Sequence, residues 1–524
     1  MGKEFICRSD YPVVETKAGK VRGFVTDGTF TFWGIKYADA KRWEMPTEVE
    51  PWEGVKDALS YGYVSPMLSK ETNNGEIMCP HRYWVKDENC QYLNVWTQSI
   101  NDETAKKPVM VWLHGGGWSA GSSIEQVAYD GENISKYGDV VLVSINHRLN
   151  ILGYLDLSDF GEKYWNSGNV GNADIVAALQ WVHDNIAKFG GDPGNVTIFG
   201  QSGGGGKVDD MLQTPAADGL FHKGIIMSGM FYREKLMGGI MAATSKETNI
   251  AVGNQLMEEC GVKTIEELAV VPYDTLAAAF NKVSAEFAAK GIRIGQAPHK
   301  NSWYPGNGLE YNMTEHAKKI PVMIGSVLAE MSFGTAIEKK HELTEEQRYE
   351  LVKEEFGDKT DTIVKLFKEA YPEKNLVDVL SIDTAFRAAG QAYALKRAEE
   401  ASAPTYEYIF TYEFPIDDGK APWHCSDIAF FFHNTDKVVV GNKPGVSDKL
   451  EGQMCDAFLN FARTGDPNSA SLPEWPADEP GKLHTMLLDE ECKVVTNHDL
   501  ELYKEYMPVA PDPKKRNKKN IALH

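Results

Sequence analysis

The sequence predicts an α/β fold with a mostly parallel central sheet flanked by helices. Two short apolar runs, PVMVWL at 108–113 and VVLVSIN at 140–146, are rich in β-branched residues and are bounded by glycines or polar turns. Such runs are typical of strands that a parallel sheet buries on both faces. A helical pattern and a third strand, NVTIF at 195–199, follow and lead directly into a glycine-rich turn. This alternation of strands and helices indicates a βαβ unit.

The predicted helix between the second and third strands has a regular apolar stripe. Its members recur at alternating steps of four and three residues: Ile175, Leu179, Val182, Ile186 and Phe189. This spacing puts them on one face, which we expect to pack against the sheet. The sequence GGDP at 190–193 predicts the end of the helix and a turn.

Composition limits the organisation and the partners of the chain. The 524 residues would suffice for two or three domains, although α/β folds of this size also occur as one. We expect a single domain over 1–510, with helical, cap-like insertions at 231–315 and 335–400 over the ligand edge of the sheet. A basic, mobile tail is predicted at 511–524. The net charge of −21 argues against nucleic acid or an anionic membrane surface as a partner.

The cellular location is predicted from two features. The first residues lack the apolar segment of a signal peptide, and no apolar run is long enough to span a bilayer. The seven cysteines are odd in number and have no C-x-x-C spacing. A cytoplasmic protein with reduced thiols is the simplest interpretation. A disulfide between Cys79 and Cys90 stays open for an exported chain.

The stretch IFGQSGGGGKV at 198–208 has two chemical interpretations, a phosphate-binding loop and a reactive serine on a tight turn. The phosphate-binding motif fails because Gln201 occupies its first glycine position and Val208 replaces its hydroxyl residue. A dinucleotide fingerprint fails because no glycine stands at its last position. G-x-S-x-G fits at 200–204, which predicts Ser202 as a nucleophile between strand and helix. The four glycines from Gly203 to Gly206 predict a helix packed very close to its neighbours.

The remaining parts of a serine hydrolase have candidates elsewhere. HGGGW at 114–118 follows the first buried strand, where glycines let backbone N–H groups converge on an oxyanion, although a plain glycine turn is the alternative. Glu330 follows the strand-like IPVMIG at 320–325, and His424 precedes the apolar run IAFFF. Both come after Ser202 in the order nucleophile, acid, base. Many other carboxylates do so as well, so order alone does not choose Glu330.

A series of sequence blocks carries a resemblance to a known family. The blocks are VVETKAGKVRGF at 13–24, ENCQYLNVW at 88–96, HGGGW at 114–118, INHRLNILGYL at 145–155, GNADIVAALQWVHDNIAKFGGDPGNVTIFGQSGG at 171–204, FHKGIIMSG at 221–229, PVMIGSVLAEMSFG at 321–334 and WHCSDIAFFF at 423–432. In this order they resemble the type-B carboxylesterases, cholinesterase-like α/β-hydrolases, and in particular an intracellular, bacterial-type member. The resemblance implies Ser202 as nucleophile, His424 as base and Glu330 as the orienting carboxylate. It also implies an oxyanion hole built from the N–H groups of Gly116, Gly117 and Gly203.

Some positions depart from the family or have weaker assignments. The family usually has alanine at Gly203 and often glycine at Cys425, for which we expect a buried, unreactive thiol. By resemblance Ser228 is a candidate for supporting the triad. We expect Asp427 to cap a helix or accept a hydrogen bond rather than serve as triad acid. Among the aromatic residues that are candidates for a pocket, only Trp118 is expected to face the site, whereas the others are expected in the core: Trp303, Phe333, Trp423 and Phe431.

The sequence therefore predicts a serine esterase that hydrolyses a small-molecule carboxylic ester through an acyl-enzyme. No cofactor is expected, and no metal site, because His341-Glu342 lacks the second histidine of a zinc helix. Two alternatives remain: a catalytically inactive, cholinesterase-like interaction protein, and a lactonase or specialised detoxifying esterase that uses the same triad. The sequence does not indicate an oligomeric state.

Overall fold

The computed structural model describes residues 4–69, 79–235, 242–332, 337 and 339–511. The strands in these ranges are β1 (Phe5–Ile6), β2 (Val13–Glu15), β3 (Lys20–Arg22), β4 (Phe24–Thr26), β5 (Thr29–Lys36), β6 (Val55–Asp57), β7 (Tyr92–Thr97), β8 (Lys107–Leu113), β9 (Val141–Ile145), β10 (Gly191–Gln201), β11 (Lys223–Met227), β12 (Val322–Val327), β13 (Thr405–Phe410), β14 (His484–Leu488) and β15 (Lys493–Thr496). The helices are α1 (Glu132–Gly138), α2 (Asn150–Tyr154), α3 (Val170–Asn185), α4 (Gly203–Gln213), α5 (Lys246–Cys260), α6 (Ile265–Leu268), α7 (Tyr273–Ala289), α8 (Glu345–Phe356), α9 (Thr360–Ala370), α10 (Arg387–Glu400), α11 (Ile428–Phe431), α12 (Ser447–Thr464) and α13 (Leu500–Tyr506).

One large sheet organises the fold. Its strand order is β1-β4-β5-β7-β9-β8-β10-β11-β12-β13-β14-β15, and β2, β3 and β6 form a small separate sheet. The strands from β9 to β14 in this order are all parallel, whereas the outer strands pair antiparallel. The prediction of a mostly parallel sheet is therefore confirmed. The carboxyl ends of the parallel strands share one edge, where open α/β sheets bind their ligands.

The predicted βαβ unit is present with one difference. The three predicted strands are β8, β9 and the later part of β10, and α3 occupies the predicted helix. The helical stripe continues through a 3-10 turn at Ile186–Phe189 and ends at Gly190, whose φ of 76° is in the left-handed region. The predicted turn is shorter than expected, because Gly191 already pairs with Lys107, and the register of β10 shifts before Val196.

Both faces of the sheet are buried. Alternate residues of β8 enter two different hydrophobic clusters. Val109, Val111 and Leu113 belong to the cluster covered by α3, α4 and α10, whereas Met110 and Trp112 belong to the cluster covered by α1, α11 and α12. Strands covered by helices on both sides consist mainly of apolar residues, and this explains the continuous apolar run at 108–113.

Helices occur in both segments where insertions were expected. The segment 231–315 contains α5, α6 and α7, and the segment 335–400 contains α8, α9 and α10. Their function as a cap, and the single domain over 1–510, stay predictions. The predicted tail lies outside the described residues apart from Pro511. None of the helices that the structure describes is long and apolar enough to cross a membrane.

Candidate active site

Ser202 lies in a strained turn between β10 and α4, at the carboxyl edge of the sheet. Its φ of 59° and ψ of −128° fall outside the regions that side-chain-bearing residues usually adopt. The serine N–H donates to the carbonyl of Met227 on β11 (2.9 Å), and the serine carbonyl accepts from the N–H of Gly206 (3.1 Å). These bonds hold the turn between its strand neighbour and its own helix. The residue is half-buried.

The helix after Ser202 packs backbone against backbone. A Cβ atom at Gly203 would lie 2.3 Å from the Cα atom of Gly117, and one at Gly204 would lie 2.0 Å from the carbonyl oxygen of Leu113. Both distances are far below a van der Waals contact. The close approach predicted from the run of glycines is therefore present, and it brings α4 against the turn after β8.

That turn contains the three glycines of HGGGW. Gly116 and Gly117 have φ values of 81° and 65°, which favour glycine. A Cβ atom at Gly115 would lie 3.3 Å from the Cβ atom of Ser202. In the part of the chain that the structure describes, the N–H groups of Gly116, Gly117 and Gly203 donate to no protein acceptor. Donors without partners beside the serine are what an oxyanion hole requires.

Glu330 and His424 are brought into direct contact. Oε2 of Glu330 lies 2.5 Å from Nδ1 of the His424 ring. The backbone N–H of His424 also donates to the backbone carbonyl of Glu330 (2.7 Å). The second carboxylate oxygen accepts from the N–H of Val327 at the end of β12 (2.9 Å). Glu330 is fully buried and His424 nearly so. Because Nδ1 faces the carboxylate, Nε2 is the ring nitrogen left to act as a base.

Gln201, which sequence reasoning did not single out, joins the serine turn to this pair. Its Nε2 atom lies 3.3 Å from Nδ1 and 3.4 Å from Nε2 of His424. Its Oε1 atom accepts from the thiol of Cys425 (3.2 Å). Cys425 is half-buried, with a φ of 74°, rather than buried as expected. The sequence could have indicated Gln201 through its position in the G-x-S-x-G motif. The residue before the serine ends β10 at the carboxyl edge of the sheet, where the site lies.

Two further buried carboxyl groups lie near Glu330. Burial, together with the negative charge of Glu330, raises the pKa of Asp383 to about 7 and the pKa of Asp427 to about 7. Asp383 accepts from the N–H groups of Ala385, Phe386 and Arg387 at the start of α10. Asp427 stands at the N-cap position of α11, but its carboxylate makes no capping bond; Oδ2 accepts from Tyr408 (3.4 Å) instead.

Trp118 is fully buried and presents no open surface. Its indole N–H donates to Asp210 (3.1 Å), its ring packs against Phe231, and the guanidinium of Arg233 lies 4.6 Å from the ring centroid. Phe231 in turn packs against Phe386, whose ring stacks on that of His424 with centroids 5.0 Å apart. Trp118 is thus part of a buried aromatic cluster beside His424, and that it faces the bound substrate stays a prediction. Tertiary contacts from distant segments decide this burial.

The remaining candidates have these positions. Ser228 has a φ of 45°, and its buried hydroxyl makes no hydrogen bond within the described residues. Its support of the triad, which the resemblance implied, stays a prediction. Trp423 and Phe431 are core residues, as expected, and Trp303 is half-buried. Phe333 lies outside the described residues. No disulfide joins Cys79 to Cys90 in the described structure. Among the residues described, no group of three His, Cys, Asp or Glu side chains could hold a metal ion.

The sequence model of the carboxylesterase family matches residues 10–505. The chain belongs to the carboxylesterase family. It is therefore a carboxylic ester hydrolase with the α/β-hydrolase fold.

Individual relatives support this assignment. Para-nitrobenzyl esterase of Bacillus subtilis (strain 168) is 28% identical in an alignment of 513 positions that covers 95% of this chain and 99% of the relative. Phenmedipham hydrolase of Pseudarthrobacter oxydans is 31% identical and covers 90% of this chain and 94% of its own length. A solved esterase from the anaerobe Clostridium hathewayi, reported to hydrolyse aliphatic aromatic polyesters, is 49% identical. It superposes with a TM-score of 0.92 over 97% of this carboxylesterase and 100% of its own chain.

Proposed function

We propose that this carboxylesterase cleaves its ester through a triad of Ser202, His424 and Glu330. The observation that carries the proposal is the 2.5 Å contact between Glu330 Oε2 and His424 Nδ1 at the sheet edge that holds the Ser202 turn. Gln201 connects the Ser202 turn to the Glu330–His424 pair, because it adjoins Ser202 in the chain and its amide nitrogen lies 3.4 Å from Nε2 of His424.

The chemistry follows from this arrangement. The carboxylate of Glu330 holds the Nδ1–H tautomer, so that Nε2 takes the proton of Ser202 as its oxygen attacks the ester carbonyl. The protonated ring then gives that proton to the departing alcohol, and an acyl-enzyme remains. In the second half-reaction His424 takes a proton from water as the water oxygen attacks the acyl carbon. The protonated ring then gives this proton to the departing oxygen of Ser202, which releases the acid and restores the free serine. Glu330 stabilises the ring while it is charged.

The oxyanion of both tetrahedral intermediates would accept hydrogen bonds from Gly116, Gly117 and Gly203. Their N–H groups donate to no acceptor in the described part of the chain, and Gly203 packs directly on Gly117. Three donors fixed on backbone need no reorganisation when negative charge develops.

We further propose that the substrates include esters that join aromatic and aliphatic units. Support comes from the solved Clostridium hathewayi esterase, whose reported activity on aliphatic aromatic polyesters accompanies 49% identity along nearly the whole chain. A small-molecule ester partner and a cytoplasmic location stay predictions, as does activity on lactones.

The test is hydrolysis of p-nitrophenyl acetate, butyrate and octanoate and of a bulky aromatic ester such as ethylene glycol dibenzoate. Wild type, Ser202→Ala and the control Ser135→Ala, a buried serine on α1, are compared. Labelling by a fluorophosphonate probe is measured in parallel. We expect Ser202→Ala to lose labelling and to lose activity by at least about 10⁴-fold, with the control unchanged. A folded wild type that neither hydrolyses nor labels would favour the inactive interaction protein instead, and undiminished activity in Ser202→Ala would exclude Ser202 as nucleophile.

A further inference from the structure

Lys207 is a fully buried lysine directly behind the HGGGW turn. It lies on α4, and its Nζ atom donates to the carbonyl oxygen of His114 (2.9 Å). This is its one hydrogen bond in the described chain, and its ammonium takes part in no ion pair there. A buried cation without an ion-pair partner is costly for a fold. Burial accordingly lowers the pKa of Lys207 to about 7, against the opposing effect of Glu125 and Asp210.

The turn that Lys207 contacts is held by its carbonyl groups. The His114 carbonyl accepts from Lys207, and the next carbonyl, that of Gly115, lies 2.9 Å from Nδ1 of the His114 ring. In a trans peptide the C=O and the N–H of the unit point in opposite directions. The Gly115 carbonyl and the Gly116 N–H belong to one peptide unit, so a carbonyl held toward His114 leaves that N–H directed to the opposite side.

The lysine also connects the two segments that supply the candidate oxyanion donors. Gly116 and Gly117 lie on the turn after β8, and Gly203 is the first residue of α4. Lys207 belongs to α4, and its ammonium reaches over to the first peptide of the turn. Its bond therefore ties the helix that carries one donor to the loop that carries the other two.

We propose that Lys207 is a positioning residue that fixes the HGGGW turn against α4 so that N–H groups from both segments converge on the oxyanion. This inference rests on the proposed oxyanion hole. The lysine touches no reacting atom and acts through its hydrogen bond to the His114 carbonyl.

The charged groups around Lys207 are compatible with this role. Glu125 and Asp210 favour its protonated form. The imidazoles of His114 and His147 are stacked with centroids 5.1 Å apart, and burial and the charge of Lys207 hold the pKa of each well below its usual value. Arg148 contributes to the low pKa of His147 in the same sense. A neutral His114 keeps one ring nitrogen as an acceptor, and its Nδ1–H then donates to the Gly115 carbonyl.

The experiment compares Lys207→Met, which removes the donor at similar side-chain length, with Lys207→Arg, which keeps one. The matched control is Lys223→Met. Lys223 is also a buried lysine with a pKa lowered by burial, to about 8, but it lies at the start of β11, at the opposite end of the strand from the site. Three quantities are measured for each variant: kcat and KM on p-nitrophenyl butyrate, the inhibition constant of an alkyl trifluoromethyl ketone, and the melting temperature.

We expect Lys207→Met to lower kcat by about 100- to 300-fold, in the lower part of the range for loss of one oxyanion donor, with KM within about threefold of wild type. Affinity for the trifluoromethyl ketone, which forms an oxyanion on the serine, should fall by a similar factor. Lys207→Arg should recover part of both losses, and Lys223→Met should leave both quantities unchanged.

A lysine that only fills space would change the melting temperature and leave kcat and ketone affinity within about threefold of wild type, and that result would overturn the inference. If Lys207→Met does not fold, Lys207→Leu, which also lacks a hydrogen-bond donor, replaces it in the comparison with Lys207→Arg. The result for Ser202→Ala separates the two proposals. Loss of activity in Ser202→Ala combined with an unaffected Lys207→Met rejects the role of Lys207 alone, whereas an active Ser202→Ala rejects the proposed triad.

Discussion

The amide of Gln201 lies against the imidazole of His424, 3.3 Å from Nδ1 and 3.4 Å from Nε2. The residue before the candidate nucleophile therefore contacts the candidate base, and an uncharged group occupies a position where a charge would act directly on the ring.

Replacement of Gln201 by glutamate tests this contact. A carboxylate within about 4 Å of the ring stabilises its protonated form, so Gln201→Glu should move the acid limb of the kcat/KM profile to higher pH by about one unit. The control is Gln453→Glu, because Gln453 is a buried glutamine that also accepts from a cysteine thiol, that of Cys492. Profiles from pH 5 to 9 decide the matter. An unmoved acid limb in Gln201→Glu would mean that the amide does not contact the ring in solution.

Removal of the charge on Glu330 tests the orienting carboxylate. Glu330→Gln keeps the shape but loses the strong acceptor for Nδ1–H, so kcat should fall by about 10³- to 10⁴-fold with KM nearly constant. Glu451→Gln is the matched control, since Glu451 lies 3.5 Å from Nδ1 of His433 in a remote carboxylate–histidine pair. Steady-state kinetics at pH 8 measure both. A loss of less than tenfold in Glu330→Gln would point to Asp383 or Asp427 as the orienting group.

Addition of one methyl group at Gly203 tests the close approach of α4 to the turn. The new Cβ atom would lie 2.3 Å from Gly117 Cα and 2.5 Å from Gly117 N. Gly203→Ala should therefore lower kcat at least about 100-fold by displacing oxyanion donors and should destabilise the fold by about 1–3 kcal/mol. The control is Gly390→Ala on helix α10. Its new Cβ atom would lie 3.6 Å from the nearest heavy atom, an ordinary van der Waals contact, so this variant should lose no stability. Alanine is the usual residue of the family at this position. Full activity of Gly203→Ala would therefore show that the turn can shift to accommodate the methyl group.

The raised pKa of Asp427 predicts a pH-dependent change in stability. The unfolded chain ionises this residue near pH 3.8, whereas the folded chain keeps the proton up to about pH 7. Between these values the folded state holds a proton that the unfolded state has lost, so its contribution to stability falls as the pH rises. Asp427→Asn removes the ionisation and should raise the free energy of unfolding at pH 8 by up to about 4 kcal/mol, with little change at pH 4.

Guanidinium unfolding of wild type and Asp427→Asn at both pH values measures this difference. Asp139→Asn, at an aspartate whose side chain is 65% exposed, is the control and should show no pH-dependent gain. Equal shifts for Asp427→Asn at pH 4 and pH 8 would contradict a buried carboxyl group that ionises at a cost.

Some parts of the site could be predicted from the sequence because they are local. The strained turn at Ser202 and the glycines after His114 depend on a few consecutive residues, and their φ values agree with the motifs. The pairing of Glu330 with His424 joins residues 94 positions apart, and only the family resemblance selected Glu330 among the acids that follow the serine.

Other features depend on side-chain direction, which short-range patterns do not specify. Asp427 occupies the N-cap position that its pattern predicts, yet its carboxylate points to Tyr408 and feels the charge of Glu330. Trp118 follows the glycine turn but enters a cluster built with Phe231 and Asp210 from elsewhere in the chain. In the sequence Lys207 is only the lysine of a stretch that does not fit the phosphate-binding motif. No local pattern shows that its amine reaches the turn after β8.

The order of the site residues along the chain affects when activity arises during synthesis. The candidate nucleophile, directly after β10, and the candidate oxyanion turn, directly after β8, leave the ribosome well before His424, which follows β13. A nascent chain that ends before β13 would present the strained serine with no base, and so could not turn over an ester. Esterase activity in a translation reaction would therefore report that β13 has joined the sheet and that His424 has reached the serine turn.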